Sequence, residues 1–230
     1  MKFINTALIT LALYAIGIAP ASAGIIVGGS DILNGTSVGQ LETFLGQGQL
    51  TLNRIYAKQT GDTASDWHAA VDSQGPTFTV IELDNGRIIG GYNSNSWVSS
   101  SGYDYTATGS FLFSLTNNFK HSRYRYNYYI YNTFSYGPTW GGGHDLHIRN
   151  DLTTGYTNLG HTYQCRVGSY GSSTCRNDFA GSNNNWAVTR LETFTHSTFV
   201  PPLNVSEPGI LSILGLALLS LFLLNRRRVV

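Results

Sequence analysis

From Asp72 onward, no stretch of this chain repeats apolar side chains at the 3.6-residue interval of a helix. What recurs instead is a short run of β-branched and aromatic residues followed by a cluster of Gly, Asn or Ser. Such runs bury alternate side chains against a second layer, which specifies strands joined by turns. A parallel α/β sheet needs a crossover helix between strands, and a bundle or coiled coil needs a sustained apolar period, so none of these fits. The 26 Gly and 14 Tyr among 230 residues, with only 12% charged, point the same way and argue against an acidic disordered tail.

Helical patterning is confined to the first third. Within Ser30 to Gly46, the residues Val38, Leu41, Phe44 and Leu45 share one helical face, and Gly46 is a natural stop. A second short helix is predicted from Ser65 to Asp72, capped by Asp62 or Thr63, with Trp67, Ala70 and Val71 facing inward. Leu50 to Ala57 alternates as a strand. Thr77 to Leu83 and Arg87 to Tyr92 read as a hairpin across Asp84-Asn85-Gly86-Arg87, because Asn-Gly suits a type I′ turn. Further strands are expected at Ser110 to Leu115, Arg123 to Thr133, Asp145 to Arg149 and Trp186 to Thr195.

The ends read as addresses. Lys2, the apolar run Ala7 to Ile18 and the small residues Ala21 and Ala23 make a secretory signal over 1–23, with cleavage by signal peptidase before Gly24. At the other end Val205-Ser206-Glu207-Pro208 precedes an apolar segment (209–224) and a basic tail (225–230). Sixteen residues at ~1.5 Å each reach roughly 24 Å, a short transmembrane span whose Arg cluster stays cytoplasmic. This layout resembles the PEP-CTERM sorting signal of Gram-negative bacteria, with Ser206 where the usual motif has Pro. The resemblance implies cleavage by an exosortase-like enzyme and delivery from the membrane to the cell surface or extracellular matrix; a plain anchor is the simpler alternative. Without the end segments, ten basic residues face thirteen acidic ones between residues 24 and 208, which excludes a strongly basic nucleic-acid binder.

Between these ends lie a short leader (24–30), a domain (31–196) and a linker (197–208). The domain carries Ile55-Tyr56-Ala57, Ala64-Ser65-Asp66-Trp67-His68 and Gly75-Pro76-Thr77-Phe78, then Gly90-Gly91-Tyr92 with Ser96-Trp97, and Ser110 to Leu115. Tyr136-Gly137-Pro138-Thr139-Trp140-Gly141-Gly142-Gly143-His144-Asp145-Leu146 and Trp186 to Phe194 complete the order. These blocks resemble the TLDc domain. The resemblance implies a mainly β (α+β) fold, a two-layer antiparallel β-sandwich with a few short peripheral helices. It supplies no established catalytic residues. Eukaryotic relatives are linked to oxidation resistance and bind a vacuolar proton ATPase, a cytosolic partner that an exported bacterial protein would not meet.

Candidate chemistry is sparse. His144, Asp145 and His147 form the most site-like cluster, but on a strand only Asp145 and His147 share a face, and zinc takes three or four ligands. His68 or His161 would have to complete such a site; the plainer reading has Asp145 binding backbone amides. No catalytic residues, metal or cofactor are therefore assigned. Glu82 and Glu192 could serve a glycosidase-like hydrolase or simply pair with Arg87 or Arg190. No nucleophile elbow, Walker loop or dinucleotide fingerprint occurs. Cys165 and Cys175 are the only cysteines, so export would join them as a disulfide.

The densest feature is Tyr124, Tyr126, Tyr128, Tyr129 and Tyr131. On one strand they would make both faces aromatic, either a ligand platform or a cross-strand ladder holding the sheet together. The sequence thus favours an exported binding or structural protein of the bacterial envelope or extracellular matrix, and the PEP-CTERM resemblance implies exopolysaccharide as its neighbour. An extracellular hydrolase using His144, Asp145 or a strand carboxylate is the main alternative, and an oxidative-stress module the third.

Overall fold

A computed structural model describes residues 24–100, 102–182 and 185–198. The expected signal segment 1–23 with Ala21 and Ala23, the motif Val205, Ser206, Glu207 and Pro208, the apolar segment 209–224 and the tail 225–230 lie outside the described residues. Among the described residues, no helix is long and apolar enough to cross a membrane.

The chain runs β1 (Ile25–Val27), α1 (Gly35–Leu45), β2 (Leu50–Ala57), α2 (Ala64–Val71), β3 (Thr77–Leu83) and β4 (Ile88–Asn93). Short strands follow: β5 (Gly102–Asp104), β6 (Phe111–Ser114), β7 (Phe119–His121), β8 (Ile130–Asn132) and β9 (Thr139–Trp140). After β10 (Leu146–Ile148), β11 (Thr154–Tyr156) and α3 (Ser173–Ala180), the long β12 (Trp186–Thr198) closes the described chain. The result is a mostly β, sandwich-like fold with three short helices.

Hydrogen bonding is continuous from β5 through β8, β9, β10, β11, β12, β3, β4 and β6 to β7, with β2 branching from β12 and β1 from β2. β12 is the corner of the sandwich. Its first residues, Trp186 and Ala187, pair with β11, and the rest pairs with β3 and β2 across two register shifts. Bulges bend a strand, which lets one strand serve two layers. The pairings are antiparallel except β1 with β2, which is parallel.

The layers meet over three tryptophans. Trp67, Trp97 and Trp140 touch edge to face in series, at 4.8 and 5.1 Å between ring centres. Each indole N–H has a buried acceptor: Thr193 Oγ1, Thr77 Oγ1 and the Tyr92 carbonyl. This satisfies the one polar group a buried Trp carries. The other face of the first layer is covered by α1, whose Val38, Leu41 and Phe44 pack on Phe78, Val80 and Phe113. Covered on both sides, β3 buries six of its seven residues and shows no alternation of buried and exposed positions.

Local signals explain the helix ends. Asn34 caps α1 by accepting from Ser37 N at 3.0 Å, Asn34 N in turn donates to Ser37 Oγ at 2.8 Å, and Gly46 ends the helix at φ 73°. Asp66 accepts from Thr63 N at 2.8 Å, so α2 starts at Ala64.

Several expectations need correction. The segment 123–133 is not one strand: only Ile130–Asn132 is paired as β8, and the residues before it form a surface loop. The hairpin turn is not type I′, which needs positive φ at both central residues. Only Gly86 has it, at 78°, because the turn closes one residue early: Gly86 N donates to the Leu83 carbonyl at 2.9 Å, so Asp84 and Asn85 are its central residues and Gly86 follows them. The leader at 24–30 contains β1, and Ser30 Oγ donates to the Glu192 carboxylate. β12 runs to Thr198, into the expected linker. Helix α3 has no sequence forecast: it buries only Cys175, Phe179 and Ala180, too little for a visible period. Two-turn helices are marginal alone, and this one is tethered by the Cys165–Cys175 disulfide (Cα–Cα 5.6 Å).

Candidate functional site

The second layer turns one face to the core and the other outward, and pairing decides which residues go where. Ile130 of β8 lies opposite Trp140 of β9, which lies opposite Leu146 of β10, and all three point inward. One residue along each strand, side chains reverse. The outward row is therefore Tyr103, Tyr131, Thr139, His147 and Tyr156, with Tyr103 opposite Tyr131, Thr139 opposite His147 and His147 opposite Tyr156.

Neighbouring rings extend this row into a continuous aromatic face. Tyr131 touches Tyr103 at 4.7 Å and Tyr136 at 5.6 Å, and Tyr136 meets His147 edge-on at 4.5 Å. A second branch leaves Tyr103 through Tyr128 (4.9 Å) to Tyr126, which stacks on His161 at 4.6 Å; His161 meets Tyr170 at 5.4 Å. Tyr105, Tyr126 and Tyr170 are each half or more exposed. Arginines edge the face: Arg149 sits 5.6 Å from the Tyr156 ring and Arg125 4.6 Å from Tyr124. Arg123, Arg125 and Arg149 have no carboxylate partner among the described residues.

The predicted tyrosines divide. Tyr126, Tyr128 and Tyr131 belong to the face. Tyr124 stands at its edge, its backbone N–H bonded to the Thr162 carbonyl. Tyr129 is only 3% exposed and belongs to the core, because it is the first residue to turn inward as the loop becomes β8. The sequence reading missed Tyr103, Tyr105, Tyr136, Tyr156 and Tyr170. The one signal for them was Tyr103-x-Tyr105 spacing, too short to count as alternation.

The His cluster is also rearranged. His144 precedes the strand, in the turn after Gly141, with φ 54°. That left-handed backbone swings its ring onto the side of His147, where the two rings stack at 5.1 Å; on a regular strand it would lie opposite. Asp145 points the other way and is fully buried. Its carboxylate accepts from the backbone N–H groups of Gly160, His161 and Thr162 at 2.8–2.9 Å, so it shares no site with either histidine. No group of three metal-capable side chains converges among the described residues.

His147 has a defined tautomer. Thr139 Oγ1 donates its one proton to the Gly137 carbonyl, so it must accept from His147 Nδ1, leaving a lone pair on Nε2. His144 Nδ1 lies 2.6 Å from Tyr156 Oη. Burial, with His144 and Arg149 adding to it, holds His147 down to about 3, and burial alone lowers His144. Both imidazoles are therefore neutral at neutral pH; His147 is buried beneath the neighbouring rings, and only His144 is part-exposed.

The other candidates are engaged elsewhere. His68 is buried on α2, 2.7 Å from Asp72 and 3.0 Å from the Thr133 carbonyl, where it ties helix to loop. Glu82 pairs with Arg190 at 2.5 Å, and Glu192 pairs with Arg54 at 2.9 Å. Neither carboxylate faces the aromatic surface.

Buried imidazoles make stability pH-dependent. His121, with Nε2 unpartnered and Nδ1 on the Gln164 carbonyl, is lowered by burial to about 4, as His147 is to about 3. On acidification the unfolded chain takes up these protons first, so their contribution is intact above the ordinary imidazole range and is lost as pH falls toward the folded values. Asp145, which burial raises to about 7 against its amide partners, has the opposite sign and adds stability as pH falls below 7. The lowered imidazoles, His144 and His196 among them, outnumber the one raised carboxyl, so a net loss of stability is expected between pH 7 and 4.5. Urea midpoints at the two pH values measure it; an unchanged or higher midpoint at pH 4.5 contradicts the argument.

No curated protein matches this chain. The family model described as the TLDc domain matches residues 26–195, from β1 through nearly all of β12 and across both layers of the sandwich. The chain therefore belongs to the TLDc family.

Proposed function

We propose that this chain is an exported, surface-sorted TLDc protein that binds a glycan of the bacterial envelope or extracellular matrix, with no catalytic step of its own. The observation that carries this reading is the aromatic face. It offers ring after ring on one side of a short-stranded sheet, with the part-exposed His144 and His161 against Tyr131 and Tyr126 and arginines at the rim. Tyr and His rings stack on the C–H faces of sugars, while their hydroxyls and ring nitrogens bond sugar hydroxyls. The export part rests on the segment at 1–23 and the motif Val205, Ser206, Glu207, Pro208 ahead of 209–224 and the Arg cluster. The Cys165–Cys175 disulfide suits an oxidising compartment. In this reading signal peptidase and an exosortase-like enzyme process the ends, and the C-terminal segment holds the protein in the membrane until then.

Three experiments test it. The exported protein should begin at Gly24 on N-terminal sequencing, and Glu207→Ala with Pro208→Ala should leave it uncut and membrane-bound. A mature chain that keeps Met1 defeats the export reading, and unchanged surface delivery of the double variant defeats the sorting reading. For binding, Tyr126→Ser with Tyr131→Ser should weaken attachment to the cell's own exopolysaccharide about tenfold or more, since each stacked ring contributes ~0.5–1.5 kcal/mol. His144→Ala with His147→Ala should weaken it less. Loss confined to the histidine variant, or stoichiometric metal in the purified protein, would favour a catalytic site instead.

A further inference from the structure

Beside the aromatic face, residues 160–170 fold against the 124–125 loop and leave an open pocket of about 280 Å³. Its walls are Tyr124 and Tyr170, and Arg125, Gln164 and Ser169 supply its polar groups. We propose that this pocket is a subsite for a uronic-acid residue of an anionic glycan, shaped by the Cys165–Cys175 disulfide. The proposal rests on the glycan-binding reading above and names its ligand class.

Size, shape and charge each contribute. At about 280 Å³ the pocket lies just below the usual ~300–1,000 Å³ of ligand sites, which leaves room for one small ring and not for a long segment. Two tyrosines border it, as stacking on a pyranose requires. Arg125 lies against the Tyr124 ring and donates to Tyr124 Oη at 3.1 Å, which orients the guanidinium while leaving most of its N–H donors free. Among the described residues, no carboxylate lines the pocket. Arg123, on the same loop, also lacks a carboxylate partner there, whereas the nearby Arg166 is neutralised by Asp178. The local excess is therefore positive, and a planar guanidinium prefers a carboxylate it can meet with two N–H groups.

The backbone makes the pocket rigid on both sides. The N–H groups of Tyr124 and Arg125 both bond the Thr162 carbonyl, at 2.7 and 3.3 Å, and Asp145 holds residues 160–162 from beneath. Tyr170 belongs to the loop that the disulfide closes, and Ser172 Oγ fastens that loop by accepting from Ser169 N and donating to the Ser169 carbonyl. At Gly160 (φ 108°) a Cβ would lie 2.7 Å from Tyr170 Cα and 2.8 Å from Cys165 Sγ. The closed loop thus lies directly on Gly160, and the position of Tyr170 depends on the intact disulfide.

The test is calorimetric titration of the processed, oxidised protein with trigalacturonate, maltotriose and inorganic phosphate, at low salt and at ~0.5 M salt. Trigalacturonate should bind at least about tenfold more tightly than maltotriose, and the advantage should shrink at high salt as the charge-assisted contact is screened. Arg125→Gln should remove the preference for the uronate. Tyr170→Ala, and Cys165→Ser with Cys175→Ser, should each weaken trigalacturonate about tenfold with the far-UV circular dichroism unchanged. If Arg125→Gln leaves the preference intact, or phosphate binds as tightly as trigalacturonate, the subsite is wrong while the aromatic glycan face stands. If neither oligosaccharide binds, both readings fall.

Discussion

Replacing Asp145 with Ala is expected to destabilise the protein by about 4 kcal/mol, at the upper end of what one side chain can cost. The carboxylate is completely buried and is the acceptor for three successive backbone N–H groups, those of Gly160, His161 and Thr162. Truncation removes one side chain but strands three donors, each costing ~1–3 kcal/mol when left without a partner. Gly141, at φ 85°, passes so close to this carboxylate that any side chain there would collide with it, so the surrounding turn is built around the acid. Asn in its place keeps an acceptor but turns one oxygen into a donor facing an amide, and should cost about half as much. Urea denaturation at pH 8, above the raised pKa of about 7 so that the carboxyl is mostly ionised, measures both. A loss under ~1 kcal/mol for the Ala variant would mean that the carboxylate does not hold the 160–162 loop. The effect should reach the surface too, because His161 rides on this loop and stacks on Tyr126.

Gly91→Ala is the second large effect, expected at about 3 kcal/mol. Gly91 lies on β4 directly against the Trp140 ring of the other layer. A Cβ there would stand 2.6 Å from Trp140 Cζ2 and 2.8 Å from Cδ2, inside a ring that is itself fully buried. Trp140 cannot retreat, because it is wedged against Trp97 and its indole N–H is bonded to the Tyr92 carbonyl. The neighbouring Gly90 does the same for the opposite face, where a Cβ would meet Phe113 Cζ at 2.6 Å and the Thr79 carbonyl. Thermal melting of Gly91→Ala and Gly90→Ala tests the pair. If Gly91→Ala melts as the parent does, the layers are looser at this point than the packing implies.

Both effects concern residues whose type was visible in the sequence and whose role was not. Gly90-Gly91 stands out as a pair in a strand pattern, yet nothing in the chain says that Trp140, some fifty residues on, is what fills the space. Asp145 is legible as an acid beside a glycine turn that could bind amides, but not that those amides lie fifteen to seventeen residues away. The tyrosines show the limit most sharply. Read as one strand, 123–133 makes both faces aromatic. In the fold the chain loops until Tyr129, so Tyr129 enters the core while Tyr126, Tyr128 and Tyr131 join rings from other segments.

What the sequence determined by itself was local. β2 and β3 are readable end to end because a strand of seven or eight residues carries enough apolar and β-branched side chains to declare itself. Helix α1 is declared by its apolar face and its Gly46 stop, and the only two cysteines declared their own pairing. The mainly β class followed from turn-forming residues breaking every run. The tertiary structure alone decided the aromatic face. Its strands are two or three residues long, too short for a period-two pattern to register, and their outward direction is set by neighbours through the ladder. A face made of cross-strand pairs is a property of register, and register is written between strands that the sequence lists far apart.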